Sequence, residues 1–376
     1  MTRPAAILLT IAGSVFVGFL ILEVGLRAVG YSAAPVVAPD SMRGWALIPN
    51  LPGITNSQGL RDRERTVLKP AGTVRIAVLG DSMAEGMQVA LEQTFPSVLE
   101  ELLGARACPG GAPVEVINFA VQGYGTAQQR LTLDQQVWAY DPDVVVLAMF
   151  PGNDVRDNVR ALKGLDYLPF YTLVEGNLVL DLSFRQRWSY RVRTLGAGVI
   201  RYSRLAQWFN RTRFLLKAQL RAWLDRRQSE ARGLGEAGVD NMVFLDPAPL
   251  EWEQAWRVTE AIVARMNKDT MAHGARFVVA IVGTAAEVNP DEGPRTALAA
   301  AIGASDLSPP RRRVTALGLK AGFPVLDLVE PLRRDAVRQN ACLHGEIGAP
   351  PCTGHLTPAG HRAVADALAG HLCARP

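Results

Sequence analysis

Two hydrophobic patterns alternate along most of this chain. Short continuous apolar runs predict strands that are buried on both faces, and they occupy residues 74–79, 114–119, 144–150, 276–282 and 324–328. Apolar residues at helical spacing separate these runs and predict helices, which cover residues 95–103, 126–140, 250–273, 308–319 and the segment from 357 onward. Strands that alternate with helices predict an α/β fold, with a mostly parallel sheet and helices on both of its faces.

The alternation is interrupted between residues 155 and 241, where we expect an insertion. Residues 171–182 predict a small hairpin that turns at Glu175-Gly176-Asn177. Residues 185–232 predict helices, and their apolar stripe consists of Leu205, Trp208, Leu215, Leu216, Leu220 and Leu224. The insertion is therefore expected to form either a lid or a cap that faces a membrane.

The N-terminus carries an uncharged, mostly apolar run over residues 5–22, between Arg3 and Glu23. At about 1.5 Å per helical residue, this run just spans a hydrocarbon core of about 30 Å. We expect residues 1–30 to be an uncleaved signal anchor and transmembrane helix, residues 31–70 a loop-rich linker and residues 71–376 the main domain. The main domain is then extracytoplasmic, on the periplasmic side of a bacterial inner membrane.

The net charge of +4 is concentrated in one stretch of the chain. Residues 185–232 contain thirteen Lys or Arg and two acids. Such a balance suits anionic lipid or an acidic polymer, and it is also typical of a solvated helical face. Neither a zinc-finger spacing nor an RNP-like signature is present, so no nucleic-acid partner is expected.

The four cysteines fit an exported domain. An even number of cysteines behind an export signal permits disulfides, although the spacing leaves their pairing open. Cys342 and Cys352 are ten residues apart, and Cys108 and Cys373 are the other two. Because no Cys-x-x-Cys pair is present, a structural zinc site is not expected.

Four short motifs lie where predicted strands end or where the last helix begins. Ser82 follows the first strand in Gly80-Asp81-Ser82, Gly123 follows the second strand, and Asn153 follows the third. His355 precedes Thr357, the predicted N-cap of the last helix. Each motif alone is also typical of an ordinary turn or cap. Together they supply a nucleophile, a base and hydrogen-bond donors for an oxyanion at one sheet edge.

The other histidines are weaker candidates for a base. His361 is expected inside the last helix, where a structural role fits best. His273, His344 and His371 have no convergent polar partners in the sequence. We therefore expect His355 to be the reactive imidazole.

These motifs resemble the sequence blocks of the SGNH hydrolases, also called the GDSL esterase/lipase family. The resemblance is closest to a membrane-anchored bacterial branch, and it extends over most of the chain, through residues 56–62, 75–82, 85–86, 142–143 and 252–259. It implies a flavodoxin-like three-layer αβα fold, with Ser82 as nucleophile and His355 as base. It also implies an oxyanion hole formed by the Ser82 N–H, the Gly123 N–H and the Asn153 side chain.

The chain departs from this family at one position. The family usually carries an Asp two or three residues before the histidine, where this sequence has Thr353 and Cys352. A carboxylate from elsewhere could substitute, with Glu346 and Asp327 as candidates. Alternatively, a backbone carbonyl or the Thr353 hydroxyl orients His355, or activity has been lost. A Cys342–Cys352 disulfide would restrain the loop that carries the histidine.

The sequence thus predicts a membrane-anchored serine esterase that needs no metal or cofactor. Its expected substrate is an acylated small molecule, lipid or polysaccharide of the cell envelope, since the domain is expected there. Two alternatives remain open, an O-acyltransferase that uses the same site and an inactive envelope scaffold or glycan-binding protein. The sequence leaves the acyl group and the oligomeric state open.

Overall fold

The computed structural model describes residues 3–108, 110–229, 239–346 and 350–374, and for residues 6, 218 and 221–229 it describes the backbone alone. The strands are β1 (Val37–Asp40), β2 (Gly44–Leu47), β3 (Val74–Leu79), β4 (Val114–Asn118), β5 (Val144–Met149), β6 (Phe170–Val174), β7 (Asn177–Asp181), β8 (Arg276–Ile281) and β9 (Val325–Asp327). The helices are α1 (Arg3–Ala28), α2 (Ser82–Glu85), α3 (Phe95–Ala105), α4 (Thr126–Gln135), α5 (Pro151–Asp154), α6 (Arg160–Lys163), α7 (Trp188–Tyr202), α8 (Arg204–Ser229), α9 (Leu250–Ala272), α10 (Ala285–Val288), α11 (Glu292–Ile302), α12 (Pro309–Ala321), α13 (Val329–Gln339) and α14 (Pro358–Ala374).

Five parallel strands form the central sheet in the spatial order β4-β3-β5-β8-β9. Among these five strands, this is the chain order second, first, third, fourth and fifth, which is the flavodoxin-like order. The strand order reverses between β3 and β5. In such sheets, ligands bind in the crevice beyond the carboxyl ends of the strands at this point. The predicted α/β fold class is confirmed.

Helices cover both faces of the sheet, and each face has its own hydrophobic core. On one face, Leu79 and Leu147 pack with residues of α4, α9 and α12. On the other face, Val78 and Val146 pack with residues of α3, α13 and α14. Because successive strand residues point to opposite faces, all six residues of β5 are buried.

The segment between α1 and β3 packs against the edge of the sheet. The β1–β2 hairpin lies in it. Asp62 accepts the N–H of Asn118, at the end of β4, over 3.0 Å. Arg61 donates to the carbonyls of Gly86 and Val89. Through these contacts, the segment packs beside α2.

The insertion between β5 and β8 contains the antiparallel hairpin β6–β7 and the long helices α7 and α8. The hairpin turns at Glu175 and Gly176, as the sequence predicts. The basic segment is helical as far as Ser229. The described part of the chain does not include the side chain of Leu224. It also leaves out residues 230–238, which are a part of the predicted insertion.

The sequence pattern locates the core strands to within one residue at each end. The predicted helix over 126–140 is shorter than expected, since α4 ends at Gln135 and a 3₁₀ turn follows over Val137–Tyr140. The backbone of Gln136 leaves the helical region between them. The β1–β2 hairpin and helices α10, α11 and α13 were not predicted.

Candidate active site

Ser82 is the first residue of α2 and follows the turn that leaves β3. The turn requires glycine at position 80, because a Cβ there would lie 2.8 Å from the Ala84 side chain and 3.2 Å from the Ala148 carbonyl. Met83 and Ala84 anchor the short helix in the core. Ser82 itself is partly exposed. Within the described residues its hydroxyl has no hydrogen-bond partner, so it is free to react with a ligand in the crevice.

Asp81 connects the Ser82 turn to the loop after β5. One carboxylate oxygen caps α2 by accepting the Met83 N–H, and the other accepts Nδ2 of Asn153, both over 2.9 Å. Burial raises the pKa of Asp81, whereas the Asn153 and Met83 hydrogen bonds and the nearby His355 act to lower it. Asp81 therefore links the Asn153 amide to the turn that carries Ser82, and His355 is near enough to influence this carboxylate electrostatically.

A second buried carboxylate fixes the loop that carries Asn153. Asp154 accepts the N–H of Phe150 over 2.8 Å and Nε2 of Gln129 over 3.1 Å. Burial and the neighbouring Asp81 charge raise the pKa of Asp154 well above its usual range. These bonds tie α5 to both β5 and α4, and they leave the Asn153 side chain directed at Asp81.

Gly123 lies in the loop between β4 and α4 with a positive φ of 77°. A Cβ at this position would lie 3.2 Å from the Trp45 ring. Trp45 also donates its indole N–H to the Gln122 carbonyl over 3.2 Å. Within the described residues the Gly123 N–H donates to no acceptor, which leaves it available to a bound oxygen.

Glu85 joins the Gly123 loop to α2, the helix that begins at Ser82. Its carboxylate accepts the Gln122 N–H over 3.1 Å, and its side chain is almost fully buried. Burial raises the pKa of Glu85 to about 7, against the lowering effects of the Gln122 N–H and the Arg61 charge. The Ser82 helix and the Gly123 loop are thus held together by a carboxyl group that the sequence analysis did not identify.

The loop that carries His355 is paired with the segment after α13. His344 and Leu356 form an antiparallel bridge, and the Gly345 N–H donates to the His355 carbonyl over 2.8 Å. Cys342, after α13, and Cys352, just before His355, form a disulfide that joins these two segments, and Cys108 pairs with Cys373. The loop contacts the Ser82 region through Gln88, whose Nε2 lies 3.4 Å from the Leu356 carbonyl.

Glu346 is the carboxylate beside His355. Its Oε2 lies 3.4 Å from Nδ1 of the imidazole. Asp327 is paired with Arg311 instead, over 2.6 Å, and the Thr353 hydroxyl donates to the Pro350 carbonyl over 2.6 Å. Of the candidates proposed to orient His355, Glu346 alone makes a side-chain contact with it among the described residues.

His361 and His344 are enclosed structural residues, in contrast to His355. His361 lies in α14 and accepts the Phe95 N–H at Nδ1 over 3.2 Å, and burial lowers its pKa to about 3. His344 contacts the Gly354 carbonyl with Nδ1 over 2.9 Å, and burial lowers its pKa to about 4. His355 keeps 26% of its side-chain surface exposed and can therefore reach a ligand.

Comparison with known sequences assigns the family. A sequence model of the GDSL-like lipase/acylhydrolase family matches residues 78–303, which is more than half of the chain. The chain belongs to this family. The match begins within β3, just before Ser82, and it extends beyond the insertion, so β4, β5, β8 and α7–α8 lie inside it, whereas β9 and His355 lie beyond its end.

Individual relatives of this GDSL-like protein are distant. An arylesterase of Vibrio mimicus is 30% identical over 82 residues, which are 22% of this chain and 39% of the relative. The matched segment thus spans less than half the length of that curated relative. An acetylxylan esterase from Geobacillus stearothermophilus is 12% identical with a TM-score of 0.40, and the alignment covers 80% of this chain and 94% of that one. Another acetyl xylan esterase is 13% identical with a TM-score of 0.40, and the alignment covers 79% and 99%.

In this GDSL-like protein, two of the four expected site residues are linked through a single intervening side chain. Asp81 joins Ser82 to Asn153, and Gly123 is one residue from Gln122, which contacts the Ser82 helix through Glu85. The loop that carries His355 contacts the segment after α2 through Gln88, and His355 is near enough to Asp81 to influence it electrostatically. Asp81 was visible in the sequence as part of its motif, but the role of Glu85 depends on a contact between α2 and the Gly123 loop.

Proposed function

We propose that this protein is a serine esterase that removes an O-acyl group from a carbohydrate or lipid of the cell envelope. The observation that carries the proposal is the buried Asp81, which holds the Asn153 amide beside the turn of Ser82. Membership of an acylhydrolase family supports ester chemistry, and the partial likeness to an arylesterase agrees with it.

In the proposed reaction, Ser82 Oγ attacks the acyl carbonyl carbon while His355 takes the hydroxyl proton. The carbonyl π electrons move onto its oxygen, and the N–H groups of Ser82 and Gly123 and the Asn153 amide donate to that oxyanion. The intermediate collapses, the bond to the leaving oxygen breaks, and His355 returns the proton to the departing alcohol. Water then attacks the acyl-Ser82 ester in the same way and releases a carboxylic acid.

Glu346 takes the place of the missing Asp in this proposal. A carboxylate near Nδ1 stabilises the imidazolium that forms and keeps Nε2 directed at the nucleophile. The Nδ1–Oε2 separation of 3.4 Å is long for a charge-assisted bond, and 49% of the Glu346 side chain is exposed. We therefore assign Glu346 a weaker orienting effect than a buried triad acid would have.

The proposed cellular location rests on the N-terminal helix. The described residues contain one helix, α1, that is long and apolar enough to cross a membrane. The two disulfides fit an oxidising compartment. Together they support an anchored protein whose main domain lies on the periplasmic side, where acylated envelope carbohydrates and lipids are accessible.

Hydrolysis of p-nitrophenyl acetate by the full-length protein in detergent tests this proposal. We expect measurable turnover that falls at least about 10³-fold in Ser82→Ala. Ser308→Ala, at the start of α12, is the control and should retain wild-type rates. A folded wild-type protein without turnover would instead favour an envelope scaffold or glycan-binding protein.

A second assay separates hydrolysis from acyl transfer. The same protein is given an acyl donor in the presence of a sugar acceptor, and the products are resolved by mass spectrometry. Release of free carboxylic acid alone supports the esterase. Accumulation of acylated sugar that depends on Ser82 would assign an O-acyltransferase to the same site, because a sugar hydroxyl would then replace water in the second step.

A further inference from the structure

The insertion exposes an apolar stripe along α7. The stripe consists of Trp188, Val192, Leu195, Val199 and Tyr202. The intervals of four, three, four and three residues place these side chains on one face of the helix. Trp188, Leu195 and Tyr202 are 75%, 73% and 70% exposed, which is unusual for large apolar side chains that lie next to one another.

The other side of α7 is held against the loop that precedes β6. The Arg193 guanidinium stacks over the Tyr167 ring at 3.9 Å. Ser189 donates its hydroxyl to Asp166 over 2.8 Å, and Arg187 lies 4.0 Å from the same carboxylate. Because these contacts fix the rotation of α7, the apolar stripe faces away from the domain.

The junction of α7 and α8 is bound to the end of α1. Glu23 accepts the Ser203 hydroxyl over 2.8 Å and the N–H groups of Arg204 and Leu205 over 3.0 and 2.9 Å. Arg27 donates to the Tyr202 carbonyl over 2.7 Å. Glu23 directly follows the uncharged run over residues 5–22, so the α7–α8 junction lies where α1 would leave a hydrocarbon core.

The charge and aromatic content of the segment fit the surface of a bilayer. Its cations outnumber its acids by thirteen to two over residues 185–232. Beyond the junction, α8 adds the exposed side chains of Trp208, Phe209 and Phe214. Aromatic side chains favour the headgroup level of a membrane, and clustered cations attract anionic lipid.

We propose that α7 and the first half of α8 lie in the interfacial layer of a bilayer that contains anionic phospholipid. The apolar stripe of α7 enters the headgroup–acyl boundary beside the end of α1, and the surrounding arginines contact lipid phosphates. Lipid is the partner that this position favours, because a surface bound to the end of the apolar run of α1 lies at the boundary of the bilayer. This inference is independent of the proposed esterase activity.

Nitroxide labelling tests the depth of the stripe in the full-length protein. All four cysteines are in disulfides, so Leu195→Cys introduces a single thiol on the exposed face of α7. Leu319→Cys is the matched control, because Leu319 is 84% exposed on α12. Both variants are reconstituted in nanodiscs of phosphatidylcholine, with or without phosphatidylglycerol, and the accessibility of each label to oxygen and to a water-soluble nickel complex is measured by EPR.

The proposal predicts that the ratio of oxygen to nickel accessibility is several-fold higher at position 195 than at position 319 in discs with phosphatidylglycerol. It also predicts that this difference shrinks in neutral discs or at high salt. Equal, water-like accessibility at both positions would overturn the proposal. Spin–spin broadening at position 195 that disappears on dilution with unlabelled protein would identify a second copy of the chain as the occupant and overturn it too.

Discussion

At the residue scale, the central pair is Glu346 and His355, the proposed orienting carboxylate and the proposed base. The distance between His355 Nδ1 and Glu346 Oε2 is long, and about half of the Glu346 side chain is exposed. Water therefore competes with the carboxylate for the imidazole. Glu346→Gln should lower kcat/KM for p-nitrophenyl acetate by about 10- to 100-fold, less than the roughly 10⁴-fold loss for a buried triad acid.

Asp327→Asn is the matched control for this measurement. It removes a carboxylate that pairs with Arg311 and not with His355, so it should leave kcat/KM unchanged. Full activity in Glu346→Gln, together with a loss in Asp327→Asn, would show that the wrong carboxylate has been assigned to the histidine.

Gly123 offers a second test at this scale, since its positive φ strains any other residue and a Cβ would lie only 3.2 Å from the Trp45 ring. Gly123→Ala should lose about 1–2 kcal/mol of stability from backbone strain, and the displaced N–H should reduce turnover more than tenfold. Gly176→Ala is the control, because that residue has a φ of 80° in a hairpin turn with nothing within 4 Å of its Cβ position. A similar loss of stability with normal turnover is expected there, and equal turnover in both variants would contradict the role of Gly123.

At the element scale, the two disulfides should act on different properties. Cys342–Cys352 closes a short loop with a sequence separation of 10 that contains Glu346 and ends just before His355. Cys108–Cys373 ties the turn after α3 to α14 across a separation of 265. Replacing Cys342 and Cys352 by Ala should lower kcat, because the base loses its restraint. Replacing Cys108 and Cys373 by Ala should lower the free energy of unfolding by about 5 kcal/mol with little change in kcat.

Activity assays and denaturant unfolding of the two double variants check this division. If removing the Cys342–Cys352 bridge left kcat at the wild-type value, the loop would be held by its other contacts, among them the bridge of His344 with Leu356.

Elements with a strong apolar pattern could be predicted from sequence, and those that depend on tertiary contacts could not. β5 is recognisable because every residue in it is apolar, and α7 and α8 follow from helical spacing. The β1–β2 hairpin has only four residues per strand and carries Pro39 and Asp40, so its sequence resembles a loop. The choice of Glu346 over Asp327 depends on how a disulfide-closed loop folds back, which local sequence does not specify.

At the scale of the whole molecule, buried titratable groups change the free energy of unfolding with pH, and two kinds of group do so in opposite directions. His344 and His361 have their pKa lowered by burial to about 4 and about 3. As pH falls below 6.5, these two histidines become protonated in the unfolded chain but stay neutral in the folded protein. The free energy of unfolding therefore decreases. Glu85 has its pKa raised by burial from 4.5 to about 7. Its contribution is fully present below pH 4.5 and is lost as pH rises through 7, so it opposes the histidines.

Glu85→Gln isolates the second effect, since glutamine can still accept the Gln122 N–H. In the wild type, protonation of Glu85 stabilises the folded state as pH falls from 7 to 4.5, and the variant lacks this effect. The free energy of unfolding of the variant should therefore fall more steeply than that of the wild type over this range. The two curves should diverge by at most about 3 kcal/mol. Denaturant unfolding at several pH values measures this, and parallel curves would mean that Glu85 titrates as an ordinary exposed carboxyl.

The proposed esterase reaction requires Ser82 to be a nucleophile that His355 activates. Fluorophosphonate labelling of the full-length protein in detergent, with the adduct located by mass spectrometry, tests this most directly, because Ser82 Oγ would displace fluoride from phosphorus only if it is activated. We expect an adduct on Ser82 that is lost in His355→Ala and forms more slowly in Glu346→Gln. A folded protein that remains unlabelled, or an adduct on Ser82 that forms equally fast without His355, would contradict it.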